Sequence, residues 1–278
     1  MPYKTVLSVS GVGDPDDDLR SAIELCAAEG AHLSALIMAL AAPPPIGEYA
    51  AAVSEAWLEE RERDMSALGD RRVRAQNLLN NSGISYELAE IYTEAAWVSD
   101  EVGTRARYAD VVLVGGALSA ERNLRKGAVD GGLFNSPCPV LMVPKGCRAT
   151  LSPRRILLAW NSGLEAAHAA REAIGMMAGA EMVHVTMIDP RASEIGQGEE
   201  PGADIAAHLA RHGITVTVDR LSGGGRTVSA VLNAHARDIA ADLIVMGGYG
   251  HSRLREQIFG GVTREMLDTA QVPLLMVH

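Results

Sequence analysis

The stretch Met246-Gly-Gly-Tyr-Gly-His-Ser-Arg-Leu-Arg-Glu-Gln-Ile-Phe-Gly-Gly-Val-Thr263 leaves an apolar run and enters a helical period. Two residues separate Gly247 from Gly250, and nine separate Gly250 from Gly260. Glycines at the carboxyl end of a parallel strand let backbone N–H groups approach phosphate oxygens closely. Gly260, Gly261, Val262 and Thr263 open the helix, whose free N–H groups and positive dipole end favour anions. Arg253, Arg255 and Arg264 add positive charge nearby. The chemistry on offer is phosphate binding. The alternative is that these glycines only shape two tight turns. The chain holds neither a GxxxxGK[ST] loop nor a GxGxxG dinucleotide fingerprint.

Other chemistry-bearing residues point less far. His208 and His212 stand one helical turn apart, but the Glu of an HExxH site is missing, and a solvated helix face accounts for them. His184 and His235 fall in regular elements and read as structural histidines, so no metal site is expected. His251, inside the glycine loop, is either a phosphate contact or a surface residue. Asp14-Pro-Asp-Asp-Asp18 reads as an acid cluster at a helix start, without calcium-loop spacing. No GxSxG elbow, kinase set or HExxH occurs, so no catalytic residues are assigned. Glu256 and His251 are the loop's own candidates for a base, and at most slow ATP hydrolysis is expected.

The elements that must hold the loop come in two copies. Ala109-Asp-Val-Val-Leu-Val-Gly-Gly116 matches Ala241-Asp-Leu-Ile-Val-Met-Gly-Gly248, and Cys138-Pro-Val-Leu-Met-Val143 matches Val272-Pro-Leu-Leu-Met-Val277. Tyr3–Ser10 and Arg154–Asn161 both run from basic to apolar to polar. The first copy is longer, its extra length lying in the charged segment Ser54 to Asn81, which reads as one long helix. The boundary falls in the polar stretch Lys145 to Pro153, giving domains over 1–148 and 152–278. In the second copy, Arg155–Trp160 is a continuous apolar run, as in a strand buried on both faces. A helix follows over Glu165–Met177, with Ser162 as N-cap and Gly179 as stop. Strands at Met182–Ile188, Ile214–Leu221, Asp242–Met246 and Pro273–Val277 alternate with helices at Ala203–His212, Thr227–Ala240 and Val262–Ala270. This alternation predicts an α/β fold, a doubly wound parallel sheet with five strands per copy.

Composition narrows the partners. The 278 residues suggest about two domains. A net charge of −10 and a pI near 5.3 argue against a sequence-independent hold on nucleic acid or anionic membrane. With aromatics at 4%, the core must be aliphatic. Cys26, Cys138 and Cys147 form no CxxC and fit a reducing compartment, Cys147 being the evident oxidation candidate. The N-terminus lacks signal-peptide character, and the longest apolar run, around Leu36 to Pro45, is too short to span a bilayer. A soluble cytoplasmic protein is expected.

On these motifs the chain resembles a tandem universal stress protein over nearly its whole length. ATP-binding members of that family carry GxxGx9G followed by Ser or Thr, and the spacing falls on Gly247, Gly250 and Gly260. The resemblance implies two Rossmann-like domains of the adenine nucleotide alpha hydrolase type, each a five-stranded parallel sheet flanked by helices. It implies ATP or another adenine nucleotide between the ends of the first and fourth strands, touched by Asn161, Met187, Met246 and the loop. It further implies a pseudo-twofold pairing of the domains along their last strands. The sequence departs from the family at Gly261, in place of the phosphate-contacting Ser/Thr, with Thr263 two residues on. It departs again at Asn161, in place of an acid, and at Met187, in place of a small residue. In the first copy Leu118 replaces the second glycine, Ser10 takes the acidic position, and Asp130 adds negative charge, so that half is expected to pair with and stabilise the other. The expected function is a stress-response protein that binds nucleotide in its C-terminal domain and acts through an unidentified protein partner. A nucleotide-free scaffold and a weak nucleotide hydrolase are the alternatives. The expected assembly is an intrachain pseudo-dimer, with a homodimer as a further option.

Overall fold

The computed structural model describes residues 3–43, 55–190, 200–249 and 261–278. They divide into two compact units, Tyr3–Cys138 and Pro139–His278. The first alternates β1 (Thr5–Gly11), α1 (Asp17–Glu29), β2 (His32–Ala41), α2 (Glu55–Asn80), β3 (Tyr86–Glu94), α3 (Val98–Ala106), β4 (Val111–Val114) and α4 (Arg122–Asn135). Its sheet runs β3-β2-β1-β4, with every pairing parallel. Helices cover both faces, so β4 and nearly all of β1 are buried, which is why they read as unbroken apolar runs. The charged α2 turns Leu68, Arg71, Ala75 and Leu79 inward at three- and four-residue spacing and gives most of its remaining surface to water. Arg71 is fully buried, and its guanidinium meets Asp16 at 2.6 Å, as a buried charge requires.

The second unit contains β5 (Val140–Met142), β6 (Arg155–Ala159), α5 (Leu164–Glu172), α6 (Ile174–Gly179), β7 (Met182–Ile188), α7 (Ala203–Arg211), β8 (Val216–Leu221), α8 (Val228–Asp238), β9 (Leu243–Gly247), α9 (Val262–Thr269) and β10 (Leu274–Val277). The strands β10-β9-β6-β7-β8 are parallel in that order. β5, the last strand of the first sequence copy, pairs antiparallel with β10, Leu141 facing Leu275. The units therefore part at Cys138 and Pro139, ahead of the polar stretch Lys145–Pro153, and the described strands number four in one unit and six in the other. The core is aliphatic, with Leu7, Val112, Leu157, Ile244 and Leu275 fully buried. Among the described residues no helix is long and apolar enough to cross a membrane.

Two local expectations are corrected. The helix expected over Glu165–Met177 is two helices, separated at Ala173 (φ −84°, ψ 0°), just before the β-branched Ile174 and Gly175. Its N-cap is Gly163, not Ser162. Asn161 Oδ1 accepts the Gly163 N–H at 2.9 Å, and this turn places Ser162 at φ +62°.

The repeated Ala-Asp has one structural job in both copies. Asp110 Oδ2 accepts the backbone N–H groups of Lys4 and Thr5 at 2.7 and 2.8 Å. Asp242 Oδ2 accepts those of Arg154 and Arg155 at 2.8 and 2.9 Å. Each carboxylate thus ties the entry of the fourth strand to the start of the first. Bonds of this kind to an ion contribute more than neutral ones. Asp242→Ala should lower the unfolding free energy by about 1–2 kcal/mol in denaturant titration, and Asp242→Asn by less. Equal stability of both variants and the parent would refute the role.

Candidate functional site

In the second unit the strand order reverses between β6 and β9, so β7 and β8 lie to one side and β10 to the other. Such a reversal opens a crevice beyond the carboxyl ends of the two central strands, where open α/β sheets take ligands. Asn161, Ser162 and Gly163 lie beyond β6 there, and Gly247 ends β9, with Gly248 and Tyr249 following. Gly247 is demanded by packing. A Cβ on it would overlap the first turn of α5, lying 2.6 Å from the Ala166 nitrogen. The Gly248 N–H donates to the Val277 carbonyl at 2.7 Å. Tyr249 then takes a left-handed conformation, φ +57°, and its N–H donates to Thr263 Oγ1 at 3.0 Å.

Thr263 is therefore a clasp. Its buried hydroxyl oxygen fastens the exit of β9 to the first turn of α9, so the described residues that flank 250–260 are held together. Gly261 is the N-cap of α9, in extended conformation and without a side-chain cap, and Val262 begins the helix. Gly250 and Gly260, with His251, Arg253, Arg255 and Glu256, lie outside the described residues. Arg264 is exposed on α9. Met246 is buried at the end of β9. Met187 is buried on β7, and a Cβ on Gly202 would lie 3.1 Å from its sulfur and 2.7 Å from Val218 Cγ1. Asn161 is exposed, with its carbonyl oxygen engaged by Gly163.

Sequence reasoning passed over a second loop on the same edge. Asp189 closes β7 at φ +46°, and its Oδ1 accepts the Gly223 N–H at 3.1 Å. The run Gly223-Gly224-Gly225 was the available signal, the latter two having positive φ. The loop delivers the chain to Thr227, whose hydroxyl caps α8 by accepting the Ala230 N–H and donates to Glu265 of α9 at 2.7 Å. Two of the thiols are disfavoured as thiolates. Burial pushes Cys26 up to about 12, and it raises Cys147, whose Sγ donates to the Gln271 carbonyl at 3.3 Å.

The equivalent crevice in the first unit is filled from within. Asp18, in the first turn of α1, lays its carboxylate over Gly115 at the end of β4. Backbone N–H groups of Ala117 (3.0 Å), Leu118 and Gly116 point at that carboxylate. Glu121 lies against Gly11 and takes a bond from the Gly13 N–H. Asp14, buried between them, accepts the Gly11 N–H at 2.7 Å. Both glycine turns of the first copy are thus occupied by the chain's own anions. Ser10 is buried at the end of β1, and Asp130 is paired with Lys126 at 2.7 Å along α4. Burial raises all three crowded carboxyls, with repulsion from Asp18 and Glu121 adding to it at Asp14, which is pushed up to about 6.

The folded state therefore holds the Asp14 proton up to about pH 6, whereas the unfolded chain releases it near 3.8. Stability is lost as pH rises through that window. Asp14→Asn keeps the acceptor for Gly11 and removes the charge. It should raise the unfolding free energy by about 1–3 kcal/mol at pH 7.5 and by nothing below pH 4, read from denaturant titrations across pH. A gain independent of pH would contradict this assignment.

The model of the universal stress protein family matches residues 153–278. Among solved structures, the chain is similar to a universal stress protein from Archaeoglobus fulgidus DSM 4304, with 16% identity and a TM-score of 0.67, covering 98% of this chain and 95% of that one. It is also similar to PA1789, a functionally unknown protein from Pseudomonas aeruginosa PAO1, with 16% identity and a TM-score of 0.54, covering 99% of this chain and 92% of that one. Among curated proteins none matches the sequence. Likeness at this identity establishes the fold, a mostly parallel sheet flanked by helices. Residues 153–278 thus carry a universal stress protein domain, which spans the second of the two sequence copies.

Proposed function

We propose that the C-terminal domain, 152–278, binds ATP or another adenine nucleotide in the crevice between β6 and β9, and that the N-terminal domain, 1–148, does not. The observation that carries this reading is the clasp from Tyr249 to Thr263, which joins the residues on either side of 250–260 at the strand-order reversal. Gly247, Gly250 and Gly260 then serve as the phosphate loop. Gly261, Val262 and Thr263 contribute the N-terminal end of α9, whose free N–H groups favour an anion. Asn161 has its oxygen in the turn to Gly163, which leaves its amide N–H groups as the donors it can offer a ligand. Met246 and Met187 form the apolar floor on the adenine side. In the N-terminal domain the carboxylates of Asp18 and Glu121 hold the positions a phosphate would need, and their charge repels one.

The protein acts, in this reading, as a cytoplasmic stress-response protein whose nucleotide state controls association with a protein partner. Hydrolysis, where it occurs, is slow. A second reading, a nucleotide-free scaffold, draws on Met187, whose sulfur is already packed beneath Gly202 beside Val218. Calorimetry of ATP against the purified chain separates the two. One ATP per chain is expected, with at least roughly 100-fold weaker binding in Gly250→Val and Gly260→Val and an unchanged circular dichroism spectrum. Retained binding in both variants would overturn the loop assignment, and the absence of binding to the parent chain would favour the scaffold.

A further inference from the structure

His184, Asp219 and His235 come together on one face of the second unit's sheet. Thr186 of β7 stands opposite Asp219 of β8, which makes His184 and Asp219 diagonal neighbours on the same face. His235 reaches them from the last turn of α8. The Asp219 Oδ2 atom lies 2.8 Å from His184 Nδ1 and 2.7 Å from His235 Nε2. The three donor atoms all fall within 4.8 Å of one another. The side chains are 15–19% exposed, so solvent reaches them.

We propose that these three residues form a binding site for a divalent cation of the zinc class. Two imidazole nitrogens and one carboxylate oxygen, with room for water, are a donor set that borderline divalent cations take. Donors around tetrahedral zinc stand about 3.3 Å apart, so the carboxylate and each imidazole need to part by only about half an ångström. Each neutral imidazole gives the ion the lone pair of the nitrogen that faces Asp219 and carries its single proton on its other ring nitrogen, the exchange of tautomer passing through solvent. The bound ion clips α8 to β8, the last strand of the parallel order, at a distance in sequence from the β9 loop.

The fold itself does not call for the cluster. Matching the copies through the Asp110 and Asp242 clamps and the strand registers puts Ser34 where His184 stands and Ala89 where Asp219 stands. The first copy forms the same strands with a hydroxyl and a methyl at these places. His184→Ser and Asp219→Ala are therefore substitutions that this sheet accommodates.

The test uses the full chain, freed of metal by a chelator and titrated with zinc chloride in a calorimeter at pH 7.5. One zinc ion per chain is expected, with a dissociation constant of about 10 μM or tighter. His184→Ser and Asp219→Ala should each weaken binding by roughly 100-fold. The double variant His208→Ala/His212→Ala, which removes the other close pair of histidines, should leave it unchanged. Cobalt in place of zinc should give the visible absorption of a four- or five-coordinate ion, absent in Asp219→Ala. No saturable zinc binding, or binding that survives both His184→Ser and Asp219→Ala, would overturn the proposal.

Discussion

Asp242 accepts hydrogen bonds from two consecutive backbone N–H groups at the start of β6, and the candidate site depends on that bond pair. It fixes β9 beside β6 with Ile156 opposite Leu243. From that register the exits of both strands arrive at one edge, and Gly247 reaches the first turn of α5. A one-residue slip would exchange the faces of the buried strands. It would also separate Tyr249 from Thr263. Asp110 holds β1 and β4 in the same way, so the crevice is a property of the repeat itself.

What each copy does with its crevice differs through a handful of side chains. In the first, Asp18 sits where N–H groups after β4 converge, and Glu121 and Asp14 serve the glycine turn after β1. Anion-binding backbone is kept, and the anion is internal. In the second, Glu165 holds the second position of α5, as Asp18 does in α1, yet its backbone rather than its carboxylate meets Gly247. The N–H groups of Gly248 and Tyr249 are spent on Val277 and Thr263. One copy is closed by charge, and the proposal leaves the other for a ligand.

Much of this architecture was legible in the sequence, because strands buried on both faces must be continuous apolar runs. Met182–Ile188 is a strand with the limits expected, and the other strands and helices of the second copy, apart from the helix over Glu165–Met177 that is split in two, differ by one or two residues at their ends. Gly247 was legible as a glycine requirement, and the backbone of α5 packed against it imposes one by itself. The turn at Asn161 was not, since its competing side-chain bond to Gly163 overrides Ser162 as a cap. Nor were contacts set by topology. Asp18 and Ala117 are 99 residues apart, and His184 and Asp219 are 35 apart. Each lies in a segment whose local pattern is complete without its partner.

Hydrogen–deuterium exchange with and without ATP tests the division of labour between the copies most directly. Nucleotide should slow exchange in peptides covering 159–163 and 247–263 and leave those covering 11–18 and 115–121 unchanged. Protection at 115–121, or an identical pattern in both states, would contradict it.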